Sequence, residues 1–163
     1  MIRAKQYKDL TYKIIGCAMA VHSELNWGLL EAVYQEALHL ELLDRGIDNE
    51  REKEIEVYYK SKLLDKKYKM DLVAGDVIVE LKSVSRLLPV HRAQLCNYLR
   101  LTHKPVGLLI NFGEKSLIGE RWAYDEKTNE CVLVDKNMDV VYEAEYEELL
   151  CSGVFDSGSD DEK

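Results

Sequence analysis

An α/β fold with a mixed central sheet flanked by helices is what this 163-residue sequence predicts, and three observations carry that reading. Apolar residues recur at helical spacing in two stretches up to Arg45, and the pattern then changes to period two in "EKEIEVYYK". A further helical stretch follows Pro89. After it comes "PVGLLINFG", almost wholly apolar, the composition of a strand buried on both faces in a sheet interior. The length suffices for a core that needs neither metal nor disulfide to hold it.

The elements follow in order. Tyr12 to Leu25 carries Ile14, Ile15, Ala18, Met19, Val21 and Leu25 on a helical stripe, with Asp9 or Thr11 available as N-cap, and "NWG" interrupts it. A second helix runs from about Leu29 to Arg45 and stops at Gly46. "EKEIEVYYK" alternates as a strand and "SKLLD" turns. "KKYKMDLV" and "DVIVELKSV" then form a hairpin about Ala74-Gly75. A third helix spans roughly Val90 to Thr102, and "SLIGERWAY" is the last strand of a core domain spanning 1–124. Residues 125–155 read as an extension with a small hairpin, "CVLV" and "DVVY", and a short acidic helix near "EAEYEELL". Residues 156–163 have the composition of a disordered acidic tail.

The net charge is -8, but it is unevenly placed. From Asp125 onward there are thirteen acids and three bases, which leaves 17 acids and 19 bases before it. A body near +2 with a tail near -10 does not exclude a polyanionic partner, because binding follows the local field of a groove. Cys17, Cys96, Cys131 and Cys151 show no CxxC pair and are expected as thiols, with no zinc site and no disulfide framework. No apolar run approaches membrane-spanning length, so the expectation is an intracellular, cytoplasmic protein with no membrane partner.

The hairpin holds the chemistry. With a two- or four-residue loop and paired residue numbers summing to 149, Asp71 lies opposite Ile78 with Glu80 a diagonal neighbour and Lys82 further along the same face, while Leu72, Val77, Val79 and Leu81 point to the other. Two carboxylates brought together repel, and a hard divalent cation relieves that repulsion. Magnesium, or manganese in its place, takes few protein carboxylates and keeps waters for substrate and nucleophile. Lys82 would orient or deprotonate the attacking water, or stabilise developing negative charge. A solvated face with surface salt bridges is the plainer alternative. Glu31 shares a helix face with Tyr34 and Gln35, where an acid in the first turn also suits the helix dipole. His91, Gln94 and Tyr98 form a polar line at i, i+3 and i+7 that can follow a phosphate backbone, with Arg92 and Arg100 as further phosphate contacts.

"GLLEAVY" resembles the signature of the GxxExxY proteins, and the resemblance continues through "YY", "KMDLVAGDVIVELKSV", "HRAQLCNYLRLT" and "VGLLINFG" over roughly residues 8 to 124. These look like small members of the PD-(D/E)xK nuclease superfamily, which implies a restriction-endonuclease-like core. The resemblance implies Asp71 as the first metal-binding aspartate, Glu80 and Lys82 as the E-x-K element, and Glu31 as the helical acid completing the metal site. Gln94 and Tyr98 match the QxxxY element of the RecB-like branch. Met70 stands where the superfamily name has proline. The implied activity is a magnesium-dependent phosphodiesterase acting on nucleic acid, DNA in the first place. A non-catalytic nucleic-acid-binding module of the same fold and a protein-interaction adaptor using the acidic tail are the alternatives.

Overall fold

The computed structural model describes residues 2–142. A single turn, α1 (Ile2–Lys5), leads into α2 (Lys8–Leu25) and α3 (Glu31–Asp44). Then come β1 (Glu50–Ile55), β2 (Tyr58–Tyr59), β3 (Lys62–Leu63), β4 (Tyr68–Ala74) and β5 (Val77–Lys82). After α4 (Pro89–Thr102) the chain forms β6 (Val106–Asn111), β7 (Ile118–Asp125) and β8 (Glu130–Val134). Six strands make one sheet in the order β1-β4-β5-β6-β7-β8, while β2 and β3 pair only with each other. The β5–β6 pair is parallel and its neighbours are antiparallel, so the sheet is mixed. The parallel pair requires a crossover, and α4 supplies it.

The sheet separates two apolar layers. Leu72, Val77, Val79 and Leu81 point towards Ile14 and Ala18 of α2 and Tyr34 and Leu38 of α3. Ile78 and Leu109 point the other way, towards Leu95 and Leu99 of α4. Every residue of β6 is buried, as its apolar run requires of the strand with α4 on one side and α2 and α3 on the other. A fully buried leucine such as Leu38 or Leu108 contributes about 2 kcal/mol. This is the restriction-endonuclease-like architecture expected from the sequence.

Several local expectations are corrected. The hairpin turns through Gly75 and Asp76, with Ala74 paired to Val77, so paired numbers sum to 151 and not 149. Gly75 takes φ 59°, which side-chain-bearing residues rarely adopt and which a two-residue hairpin turn needs. The slip is by two residues, so Leu72, Val77, Val79 and Leu81 still share one face, opposite Ile78. Neither Asp9 nor Thr11 caps α2: the helix starts at Lys8, and the Thr11 hydroxyl turns back to the carbonyls of Tyr7 and Lys8 at 2.9 Å. The strand expected through Tyr59 breaks after Ile55, leaving β2 and β3 as a separate small hairpin. Cys96 on α4 and Cys131 on β8 are joined in a disulfide, where thiols were expected. β8 itself is the sixth strand of the sheet, and Val134 bridges to Val140 beyond it. The short acidic helix and the tail of the sequence reading lie outside the described residues. No described helix is long and apolar enough to cross a membrane.

Candidate functional site

The site forms where β4 and β5 stop pairing regularly. Met70 and Val73 both pack on the α4 side although three residues apart, while Leu72 between them packs on the other, so β4 departs from strict alternation at Asp71. The last backbone-paired residues are Leu72 and Val79. Beyond them the two carboxylates take the place of strand carbonyls: the Asp71 N–H donates to Glu80 Oε1 at 2.9 Å, and the Leu81 N–H donates to Asp71 Oδ2 at 2.8 Å. The irregularity therefore costs few backbone hydrogen bonds and fixes both acids.

Burial dominates the electrostatics. Glu80 is 3 % exposed, and desolvation, then the Asp71 charge, push its pKa well above the ordinary carboxylate range. Asp71 is also raised by burial, opposed chiefly by the Leu81 N–H and then by the Lys82 charge. The two carboxyls are coupled, and burial holds both above the ordinary carboxylate range. Glu31, at the start of α3, is raised by burial and then by Asp71, with Lys82 acting against both.

Second-layer contacts orient these groups. Gln35 donates to Asp71 Oδ1 at 3.4 Å and accepts from Arg51 Nε at 3.3 Å. Lys82 Nζ donates to Gln94 Oε1 at 3.0 Å, and Gln94 Nε2 donates to the Tyr98 hydroxyl at 3.0 Å. The predicted polar line on α4 is thus tied to the predicted lysine on β5. Behind Lys82, buried Asn111 holds the chain by accepting from the Val84 N–H and donating to the Val84 carbonyl. A Cβ on Gly113 would collide with the Val84 backbone, so the residue following Phe112 must be this small. Neither Asn111 nor Gly113 carries a sequence signal that distinguishes it from an ordinary strand end.

The stretch "GLLEAVY" acquires a physical meaning. Gly28 takes φ 85° and its N–H donates to the Phe112 carbonyl at 3.2 Å. Tyr34 is fully buried, stacks on Phe112 at 4.4 Å, and its hydroxyl donates to the Asn26 carbonyl while accepting the Leu29 N–H. Glycine and tyrosine together fix the loop that delivers Glu31.

Two expected phosphate contacts change character. The Arg92 guanidinium is nearly buried and makes a bidentate pair with Glu120 of β7, at 2.8 Å from Nη2 and 2.9 Å from Nε, so it latches α4 to the sheet and is not presented to a phosphate. His91 Nδ1 accepts the Leu88 N–H at 3.0 Å and helps close the start of α4, though its ring still lines the groove beside the site. Arg100 is exposed on that groove.

The model of the PD-(D/E)XK nuclease superfamily matches residues 8–121, from the start of α2 into β7. The chain belongs to the PD-(D/E)XK nuclease superfamily. Among solved structures, one described as "Crystal structure of SSO0001" aligns with a TM-score of 0.49 at 20% identity, covering 78% of this chain and 65% of that one. No curated protein matches the sequence. PD-(D/E)XK nucleases typically use divalent metals, and the donor set here suits such an ion. Among the described residues no three His, Cys, Asp or Glu side chains form a closed cluster able to cage a metal. The paired carboxylates of Asp71 and Glu80 nevertheless fit a magnesium-like ion, which binds through one or two carboxylates and otherwise through water and phosphate.

Proposed function

We propose that this chain hydrolyses phosphodiester bonds in nucleic acid, DNA in the first place, with magnesium or manganese held by Asp71 and Glu80 and with Glu31 adding negative charge from α3. The observation that carries the reading is the pair of interlocked carboxylates, both pushed up by burial, with a lysine beside them. Burying two acids together is costly, and the arrangement makes sense where a cation completes it. The match of Glu31, Asp71, Glu80, Lys82, Gln94 and Tyr98 to the GxxExxY and RecB-like patterns supports the same assignment.

When bound, the ion would polarise the phosphoryl oxygen and lower the pKa of an attacking water. The protein's own groups supply position. Lys82, held by Gln94, places its ammonium beside the carboxylates, where it can orient the water and offset negative charge developing on the phosphoryl oxygens. The Asp71 and Leu81 N–H donors fix the acids before the substrate arrives, so little reorganisation is left for the reaction itself. Tyr98 and Gln94 would dock the strand on the α4 side, and Arg100 would meet a phosphate further along.

The deciding experiment incubates pure protein with labelled single- and double-stranded DNA and RNA in magnesium or manganese, beside Lys82→Ala and Glu80→Gln. Metal-dependent cleavage by wild type that falls at least a hundredfold in Lys82→Ala is the expected result. Equal cleavage by both proteins, or none by wild type on any substrate, overturns the assignment. Lys82→Ala should retain metal binding and most of its substrate affinity, since the proposed ligands remain.

A further inference from the structure

Residues 57–69, from the end of β1 to the first two residues of β4, take no part in the reaction centre, and their composition departs from the rest of the chain. Five lysines (Lys60, Lys62, Lys66, Lys67 and Lys69) stand against one acid, Asp65, a local charge of +4 in a chain of net -8. Interleaved with them are Tyr58, Tyr59 and Tyr68, which are 58%, 63% and 40% exposed. Two-residue strands cannot build an apolar face of their own, and none of Tyr58, Tyr59, Lys60 or Lys62 reaches the core. Exposed aromatic rings that do nothing for the fold are available for a ligand.

The position of this segment gives it a purpose. A groove of ≈ 660 Å³ runs between the root of the hairpin and α4, lined by Val57, Tyr68, His91, Gln94, Tyr98 and Arg100 among others. Its inner end is Gln94, which accepts from Lys82. Along it, Gln94 bonds the Tyr98 hydroxyl, and the Tyr98 ring lies 5.7 Å from the Tyr68 ring, tilted by 52°. Val57 then leads to Tyr58 and Tyr59. Lysines accompany the rings: Lys66 Nζ sits 5.8 Å from the centroid of Tyr68, and Lys60 Nζ 5.5 Å from that of Tyr59. A cation over an exposed ring is held weakly, so a base can replace it while the lysine moves to the adjoining phosphate.

We infer that this groove and hairpin are a stacking platform for one unpaired nucleic-acid strand, which makes single strands the substrate class of the site. The inference rests on the nuclease reading and deepens it. A duplex hides the faces of its bases and offers only phosphates to a surface like this one, which the lysines alone would serve. Exposed tyrosines with lysines beside them match a strand whose bases are free to stack. The tyrosine-lined floor near Tyr98 brings that strand to Lys82.

The test measures binding of the full chain to fluorescent oligo-dT, oligo-U and a blunt duplex of equal length by anisotropy in EDTA, where no strand is cut. The expected result is single-strand binding at least tenfold tighter than duplex binding, weakened tenfold or more in Tyr58→Ala/Tyr59→Ala with an unchanged circular-dichroism spectrum. Lys60→Ala/Lys62→Ala should lower the slope of log affinity against log salt. Tyrosine-dependent binding of either oligo-dT or oligo-U supports the platform, and their ratio shows which sugar it prefers. Duplex binding as tight as single-strand binding, or a double tyrosine variant that binds as wild type, overturns it. Cleavage separates the two readings: cutting that ignores the tyrosine pair removes the platform and leaves the nuclease, whereas tyrosine-dependent binding with no cutting in magnesium or manganese removes the nuclease and leaves the platform.

Discussion

Glu80 is the residue whose energetics are most exposed to test. Its folded pKa lies above its unfolded value, so below the ordinary carboxylate range both states are protonated and burial has no ionic cost. As pH rises through that range the unfolded state ionises first, and stability falls until the folded carboxyl ionises too. Metal-free Glu80→Gln lacks this loss while keeping an oxygen for the Asp71 N–H. Its Tm in EDTA should therefore exceed that of wild type at pH 7–8, with the gap closing towards pH 4, and magnesium should raise the Tm of wild type alone. A pH-independent gap would mean that the carboxylate is not desolvated as described. Arg92 gives the opposite case: Arg92→Ala leaves the wholly buried Glu120 carboxylate without its bidentate partner and should cost about 3–5 kcal/mol in urea titrations. Its role was illegible in the sequence because its partner lies 28 residues away on another element. Asp71, Glu80 and Lys82 were legible as neighbours for the converse reason, since a hairpin brings together residues close in sequence, although the break in alternation at Asp71 left no local signal.

At the scale of elements, the register shows where sequence reading stops. Gly75 announces a turn but not whether it is the first or second turn residue, and Ala74-Gly75 and Gly75-Asp76 differ by two positions on the ladder. The break after Ile55 is similarly silent, because "EKEIEVYYK" alternates through it. The pairing of Cys96 with Cys131 depends on α4 lying beside β8, which no local pattern announces. The start of α3 can be probed directly. Tyr34→Phe keeps the ring stacked on Phe112 but removes the hydroxyl that holds Asn26 and Leu29, so it should cost about 1–3 kcal/mol of stability. It should also lower cleavage more than Leu40→Ala, a change on the exposed side of the same helix. Equal activities would separate the loop from the delivery of Glu31.

For the whole molecule, the charge asymmetry invites the idea of a tail that inhibits a basic groove. A protein ending at Phe155 loses four acids and one lysine, a net change of +3. Cleavage should change by less than about twofold, since charges in water interact weakly and are screened beyond ~8 Å at physiological salt. A large gain that disappears at high salt would make the tail a regulator. The parallel pairing of β5 with β6 has a consequence of another kind, in the order of folding. The β4–β5 hairpin closes over two residues and β6 and β7 are likewise consecutive antiparallel neighbours, whereas Lys82 meets Gln94, and β5 pairs with β6, only when α4 lies across the sheet. Contacts near in sequence form early and such crossovers late. A refolding chain should therefore recover its far-ultraviolet helix signal before it recovers cleavage, and the interval between the two would time the docking of β6 on β5.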